Sequence, residues 1–238
     1  MPKFSRLSKI KTIFFLLLFL LLSKTYAQTA SHNKYGLQII SNFPEYLESI
    51  QQDANNKMVD LTKQLPGISL DIRYASDNNF MKTKLYAETS IPFLRTPVAN
   101  ALSAIQKQLK KKKLGLLLFD AYRPYAITER MWELIEDERY VANPKNGSGH
   151  NRGISVDLSI INLKNNQPLP MGTDFDNFSD SAHHSFTGLS KEVLQNRLLL
   201  RTIMEKNGFK ALETEWWHYS FENAVGFGLL DLDIEKLK

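Results

Sequence analysis

Apolar positions fall into several distinct patterns along this chain. Residues 68–74 alternate apolar and polar side chains, which predicts a strand with one buried face. After Pro97, a stripe of Ala101, Leu102, Ile105 and Leu109 predicts an amphipathic helix over residues 98–112, ended by Gly115. Leu116, Leu117, Leu118 and Phe119 form a continuous apolar run of strand length, the pattern of a strand buried on both faces. Residues 126–138 and 192–207 predict two more helices, the second closed by Asn207-Gly208. Strands are expected over 154–161, 209–212 and 217–221, and a helix within 44–63. Residues 28–40 read as a loosely ordered leader, 143–149 as a loop, 165–170 as a turn, and 171–188 as an irregular Asp-rich segment. No repeat, low-complexity block or linker divides the chain, so one domain is expected over 28–238.

The N-terminus has a different pattern. Lys3, Arg6, Lys9 and Lys11 precede an unbroken apolar run over 13–22, too short to span a bilayer comfortably. Thr25-Tyr26-Ala27 resembles a small-x-small cleavage site, so residues 1–27 read as a signal peptide cut after Ala27; an uncleaved anchor is the alternative. An exported protein, periplasmic or secreted and without a stable membrane anchor after cleavage, is the expectation. There is no cysteine, which excludes disulfides, thiolate ligands and a lipobox. The formal charge of +5 belongs to the leader: residues 1–27 hold five basic residues and no acid, which leaves 25 Lys+Arg against 25 Asp+Glu. Nucleic acid is therefore not an expected partner. Lys110 to Lys113 are read as solvated cations at a helix C-terminus rather than as a site for an anionic polymer.

Two segments carry candidate chemistry. One is His150-Asn151-Arg152-Gly153-Ile154-Ser155-Val156-Asp157, the other Glu215-Trp216-Trp217-His218-Tyr219. Each half has a plain alternative: a loop histidine with a surface aspartate, and a core histidine in an aromatic cluster. The odd spacing from His150 to Asp157 points them to opposite faces of a straight strand, so sharing a metal needs a bend, which Gly149 and Gly153 permit. The same parity argument predicts a turn at Glu215, with His218 beginning the strand. Joined, His150, Asp157 and His218 would bind one zinc ion with a fourth position open. Glu215 would then be the general base, and Arg123, at the end of the apolar run, the partner of a developing oxyanion. The adjacent His183 and His184 compete as ligands, although sequence neighbours rarely point at one ion.

Ser148-Gly149-His150-Asn151-Arg152-Gly153-Ile154-Ser155-Val156-Asp157 resembles the S-x-H-x-R-G-x-x-x-D motif of the VanX-type D-alanyl-D-alanine dipeptidases. The E-W-W-H-Y element at 215–219 matches theirs, and Asp120-Ala121-Tyr122-Arg123-Pro124 is similar to their D-G-Y-R-P, with Ala121 replacing the glycine. Met171-Gly172-Thr173-Asp174-Phe175-Asp176, His183-His184 and residues 196–204 also resemble family segments, so the likeness spans roughly 66–222. It implies an α+β fold shared with murein D,D-peptidases and the hedgehog domain, with a central, mainly antiparallel sheet flanked by helices and a zinc site in a cleft. It implies one Zn2+ per chain on His150, Asp157 and His218, Glu215 as base, Arg123 as transition-state partner, and Ser148 and Tyr74 lining the substrate site. His183-His184 would support the site without binding zinc. The implied activity is hydrolysis of D-Ala-D-Ala to two D-Ala in wall turnover or salvage. The rivals are a D,D-carboxypeptidase or endopeptidase acting on D-Ala-ended murein peptides, and a non-catalytic peptidoglycan-binding module. Residues 131–147 lack a clear match to the family's longer equivalent and are expected to help cover the substrate.

Overall fold

The computed structural model describes residues 32–224 and 226–238. The predicted signal peptide and its cleavage site lie outside them. No helix among the described residues is long and apolar enough to cross a membrane.

In chain order the elements are β1 (Ile39–Ile40), α1 (Phe43–Gln52), β2 (Met58–Asp60), α2 (Leu61–Gln64), β3 (Ser69–Leu70), β4 (Phe93–Arg95), α3 (Thr96–Lys110), β5 (Leu114–Asp120), α4 (Tyr125–Leu134), β6 (Ser155–Asn162), β7 (Gln167–Pro168), α5 (Lys191–Glu205), β8 (Phe209–Leu212), β9 (Glu215–Phe221) and β10 (Leu229–Leu230). The main sheet runs β3-β5-β6-β9-β8, with β7 added to β6. Only β3–β5 is parallel in that sheet. This is the expected α+β architecture. Of the predicted stripe on α3, Leu102, Ile105 and Leu109 are buried and Ala101 is half-buried, with Val98 and Ala99 buried as well, and the residues from Gly115 to Asp120 on β5 are buried on both faces.

Two expectations are corrected, over 68–74 and at Gly115, and the helix expected within 44–63 is found and narrowed. The strand predicted over 68–74 pairs only at Ser69–Leu70, with Leu70 on the exposed side. The chain then turns into a 3-10 segment, because Arg73 is drawn onto Asp71 and Asp174 and Tyr74 turns inward. The helix within 44–63 ends at Gln52; Asp53 caps a 3-10 turn, and Met58–Asp60 is captured as a strand by Phe93–Arg95. Gly115 does not end α3. The helix stops at Lys110, Lys113 takes a left-handed φ of 59°, and Gly115 already pairs with Ile161. The last residues of the lysine run, Lys111 to Lys113, are exposed.

Candidate active site

The register of three neighbouring strands builds the centre. Asp120 on β5 stands opposite Asp157 on β6, which stands opposite His218 on β9. A bulge between Leu118 and Asp120 brings Asp120 into this row. His150 arrives from the turn before β6. There Gly153 adopts φ 69°, and a Cβ on Gly149 would lie 1.9 Å from Ser155 Oγ, so the turn closes tightly onto the strand. The bend expected between His150 and Asp157 is present. The turn expected at Glu215 is not: Glu215 already belongs to β9. The parity conflict with His218 is instead absorbed by a bulge opposite β8, where Ala211 faces Tyr219 but Leu212 faces Glu215.

His150 Nε2 lies 3.4 Å from Asp157 Oδ2, and His218 Nδ1 lies 2.9 Å from Asp157 Oδ1. The two imidazole nitrogens are 3.2 Å apart, and one donor atom from each of the three residues falls within 4.8 Å of the others. The opposite ring nitrogens are engaged. His150 Nδ1 is 2.7 Å from Ala121 O, so it donates there and leaves the Nε2 lone pair facing the centre. His218 Nε2 contacts Ser220 Oγ at 3.2 Å, and Ser220 contacts Ser155 Oγ at 2.6 Å. Two outwardly anchored imidazoles and a carboxylate are the donor set of a three-ligand zinc site, so the residues fit the metal.

Arg123 is buried beside this centre. Its Nε and Nη2 donate to Asp120 Oδ2 at 3.0 and 2.7 Å, Tyr86 OH donates to Asp120 Oδ1 at 2.9 Å, and Nη2 lies 3.9 Å from Asp157 Oδ2. Burial opposes the guanidinium charge, but Asp120 and its neighbours outweigh that and keep Arg123 firmly protonated. Glu215 Oε2 is 4.0 Å from His218 Nδ1. Burial, with Asp157 and Asp176 close by, pushes the Glu215 carboxyl well up. Burial also acts to raise Asp157, but His150 and His218 prevail and hold it well below the ordinary carboxylate range.

These groups open onto a cavity of about 240 Å³ that Tyr74 and Ser148 also line. Tyr74 OH donates to both oxygens of Asp176 at 3.2 Å, and Arg123 lies over the Tyr74 ring, 5.1 Å from its centroid. Ser148 Oγ accepts from His150 N at 3.1 Å. All seven predicted site residues therefore gather on one cavity. Residues Glu138 to Ala142 form part of its wall, and Tyr140 stacks on Phe178 at 4.9 Å, so the segment expected to cover the substrate does border the cavity. His183 and His184 stand apart from the three convergent donors. The His184 N–H donates to Glu213 O at 2.9 Å, in the β8–β9 turn, and burial lowers the His184 imidazole to about 4.

Sequence reasoning gave no role to Asp120, Tyr86, Ser220 or Asp176. Asp120 and Asp176 were visible only as letters within longer motifs. Asp176 lines the cavity with a left-handed φ of 57°, uncommon for a residue other than glycine, and burial followed by the charge of Asp157 raises its carboxyl to about 8.

A family model described as D-ala-D-ala dipeptidase matches residues 54–233. The D-alanyl-D-alanine dipeptidase of Escherichia coli (strain K12) is 29% identical over 177 residues, covering 73% of this chain and 89% of that protein. That of Enterococcus faecalis (strain ATCC 700802 / V583) is 31% identical over 183 residues, covering 69% and 91%. That of Enterococcus faecium is 31% identical over 172 residues, covering 64% and 85%.

Proposed function

This chain belongs to the D-ala-D-ala dipeptidase family of zinc metallopeptidases, and on that premise we propose that it is an exported enzyme that hydrolyses free D-Ala-D-Ala to two D-alanines. The observation that carries this reading is the convergence of His150, Asp157, His218, Glu215 and Arg123 on one cavity. A zinc ion on the three donors supplies Lewis acidity and acidifies water at neutral pH.

The chain's own groups account for the proton and charge movements. Glu215 accepts a proton from the attacking water as the new C–O bond forms, then returns it to the departing amine as the C–N bond breaks. Arg123, fixed by the doubly bonded Asp120, offers N–H donors to the negative oxygen of the tetrahedral intermediate. Asp176, held by the Tyr74 hydroxyl, lines the same space as Ser148 and becomes a carboxylate for the substrate's ammonium once it gives up the proton that it keeps to about 8 in the metal-free fold. The burial of Glu215, Arg123 and Asp157 makes their interactions stronger than in bulk water.

The signal-like leader supports export to the periplasm or beyond. A resistance enzyme must destroy dipeptide in the cytoplasm before it enters a wall precursor, which an exported enzyme cannot do. Peptidoglycan turnover or D-alanine salvage is the role that fits.

The test is a hydrolysis panel of D-Ala-D-Ala, L-Ala-L-Ala and a D-Ala-D-Ala-ended stem peptide, with metal content measured on the same sample. D-Ala-D-Ala is expected to be cleaved fastest, with one zinc per chain. Faster cleavage of the stem would assign a D,D-carboxypeptidase instead. Glu215→Ala should retain zinc and lose about 10²–10⁴-fold in turnover; full activity would refute the base assignment.

A further inference from the structure

A second cavity, of about 380 Å³, is lined by Leu37, Gln38, Ile40, Ser49, Gln52, Asn56, Leu229 and two arginines, Arg95 and Arg152. Arg95 is 0% exposed, and its guanidinium donates only to backbone carbonyls: Arg152 O at 2.9 Å, Gly228 O at 3.1 Å, and Asn56 O. Arg152 likewise donates to Phe227 O at 2.9 Å and Asn146 O at 3.3 Å. Among the described residues neither guanidinium has a carboxylate within ion-pair distance. Residues 1–31 and Val225 contain no Asp or Glu, so they hold no carboxylate side chain to supply.

This departs from the other buried cations near the sheet. Arg73 is matched by Asp71 and Asp174, and Arg123 by Asp120. Arg197 shows that one arginine can be held by carbonyls alone, through Met171, His183 and Ser181. The second cavity differs in placing two like charges along one hollow. Burial of an unneutralised cation is costly, and burial weighs against the charge of both guanidiniums here. A bound anion relieves both.

We propose that this cavity is a binding site for a small carboxylate with an aliphatic body, separate from the cavity that holds His150 and Glu215. Arg152 spends two of its five N–H donors on carbonyls, so N–H groups remain for a planar carboxylate. Arg95 is too deep to be touched and contributes its field. Gln38, Gln52 and Asn56 supply neutral polar groups, and Leu37, Ile40 and Leu229 supply the apolar side. A single reachable guanidinium in a partly apolar hollow suits one carboxylate better than a multiply charged phosphate. The carboxylate can belong to a simple acid or to a free amino acid.

Titration calorimetry of the purified enzyme with acetate, D-alanine and phosphate, at fixed ionic strength, tests this. Gln52 is exposed on α1, where its amide donates to Glu48 Oε1 at 3.4 Å, so Gln52→Glu delivers a competing carboxylate to the cavity at the small cost, on an exposed helix face, of that bond and of an i,i+4 carboxylate pair. Gln51→Glu places the same charge one residue away on an exposed position outside the lining. Wild type and Gln51→Glu should show a saturable carboxylate site that Gln52→Glu weakens by about tenfold or more. Turnover of the dipeptide should be the same in all three, so the contrast isolates the second cavity from product binding at the first. Tighter binding of D-alanine than acetate assigns the amino acid, and equal binding the simple acid. Equal carboxylate binding by Gln52→Glu and wild type, or phosphate binding as tight as the carboxylates, overturns the proposal.

Discussion

The carboxyl of Asp176 shares its cavity with Asp157 and Glu215, and that crowding decides how it titrates. An aspartate in an unfolded chain loses its proton near about 3.9; in the metal-free fold Asp176 keeps it to about 8. Between those limits the folded state holds a proton that the unfolded state has released, so this residue's contribution to stability falls as pH rises and levels off above about 8. Asp176→Asn abolishes the effect. Denaturant unfolding of metal-free protein at several pH values should show the variant gaining on wild type by roughly 2–5 kcal/mol across that window. Parallel stability curves for the two would sink the assignment. The segment that holds Asp176 is rich in aspartate and has no regular pattern, so its sequence does not single this one out from Asp174 or Asp180. Its inward position comes from a left-handed backbone and the Tyr74 hydroxyl, neither of which a periodicity argument can see. His150, Asp157 and His218 were legible because their two segments stand, with the element at 120–124, in the order of one family's motifs; either half alone had a plain structural alternative.

At the level of elements, the centre depends on two irregular ladders and one tight turn. Strict alternation along β5 and β9 would send Asp120 or Glu215 away from the row that contains Asp157 and His218, and the bulges correct this. The odd spacings in the sequence showed that some irregularity was required. They did not show where, because a turn and a bulge solve the same parity problem; the ladder with β8 decided for the bulge. The strand predicted over 68–74 failed for a related reason. Alternation describes a face, but β3 pairs only with β5, and two residues of pairing do not outweigh the ion pairs that bend the chain at Arg73. The turn before β6 gives the most direct test of this scale. A methyl group on Gly149 would collide with Ser155 Oγ, whose hydroxyl also contacts Ser220 behind His218. Gly149→Ala should therefore destabilise the fold by about 1–3 kcal/mol and weaken zinc binding together with it. Thermal unfolding and a zinc competition assay would both register the change; a variant with wild-type values in each would show that the turn is not tight.

Across the whole molecule, the three donors come from parts of the chain that only folding assembles: the turn before β6, β6 itself and β9. Two imidazoles and a buried carboxylate face one another at close range there, and an unfolded chain has no equivalent arrangement. Zinc therefore binds the folded state far better than the unfolded one, and its binding energy adds to stability. The chain has no cysteine, so no disulfide shares this task, and the rest falls to the core between α3 and the sheet. At free zinc about a hundredfold above its dissociation constant, the gain should be about 2.7 kcal/mol, visible as a rise in Tm over chelated protein. His218→Ala removes one donor, so in that variant the zinc-dependent rise should shrink to a small fraction of the wild-type value. A wild-type Tm indifferent to chelation would mean that the three side chains do not close on a metal, and the hydrolytic reading would lose its centre with them.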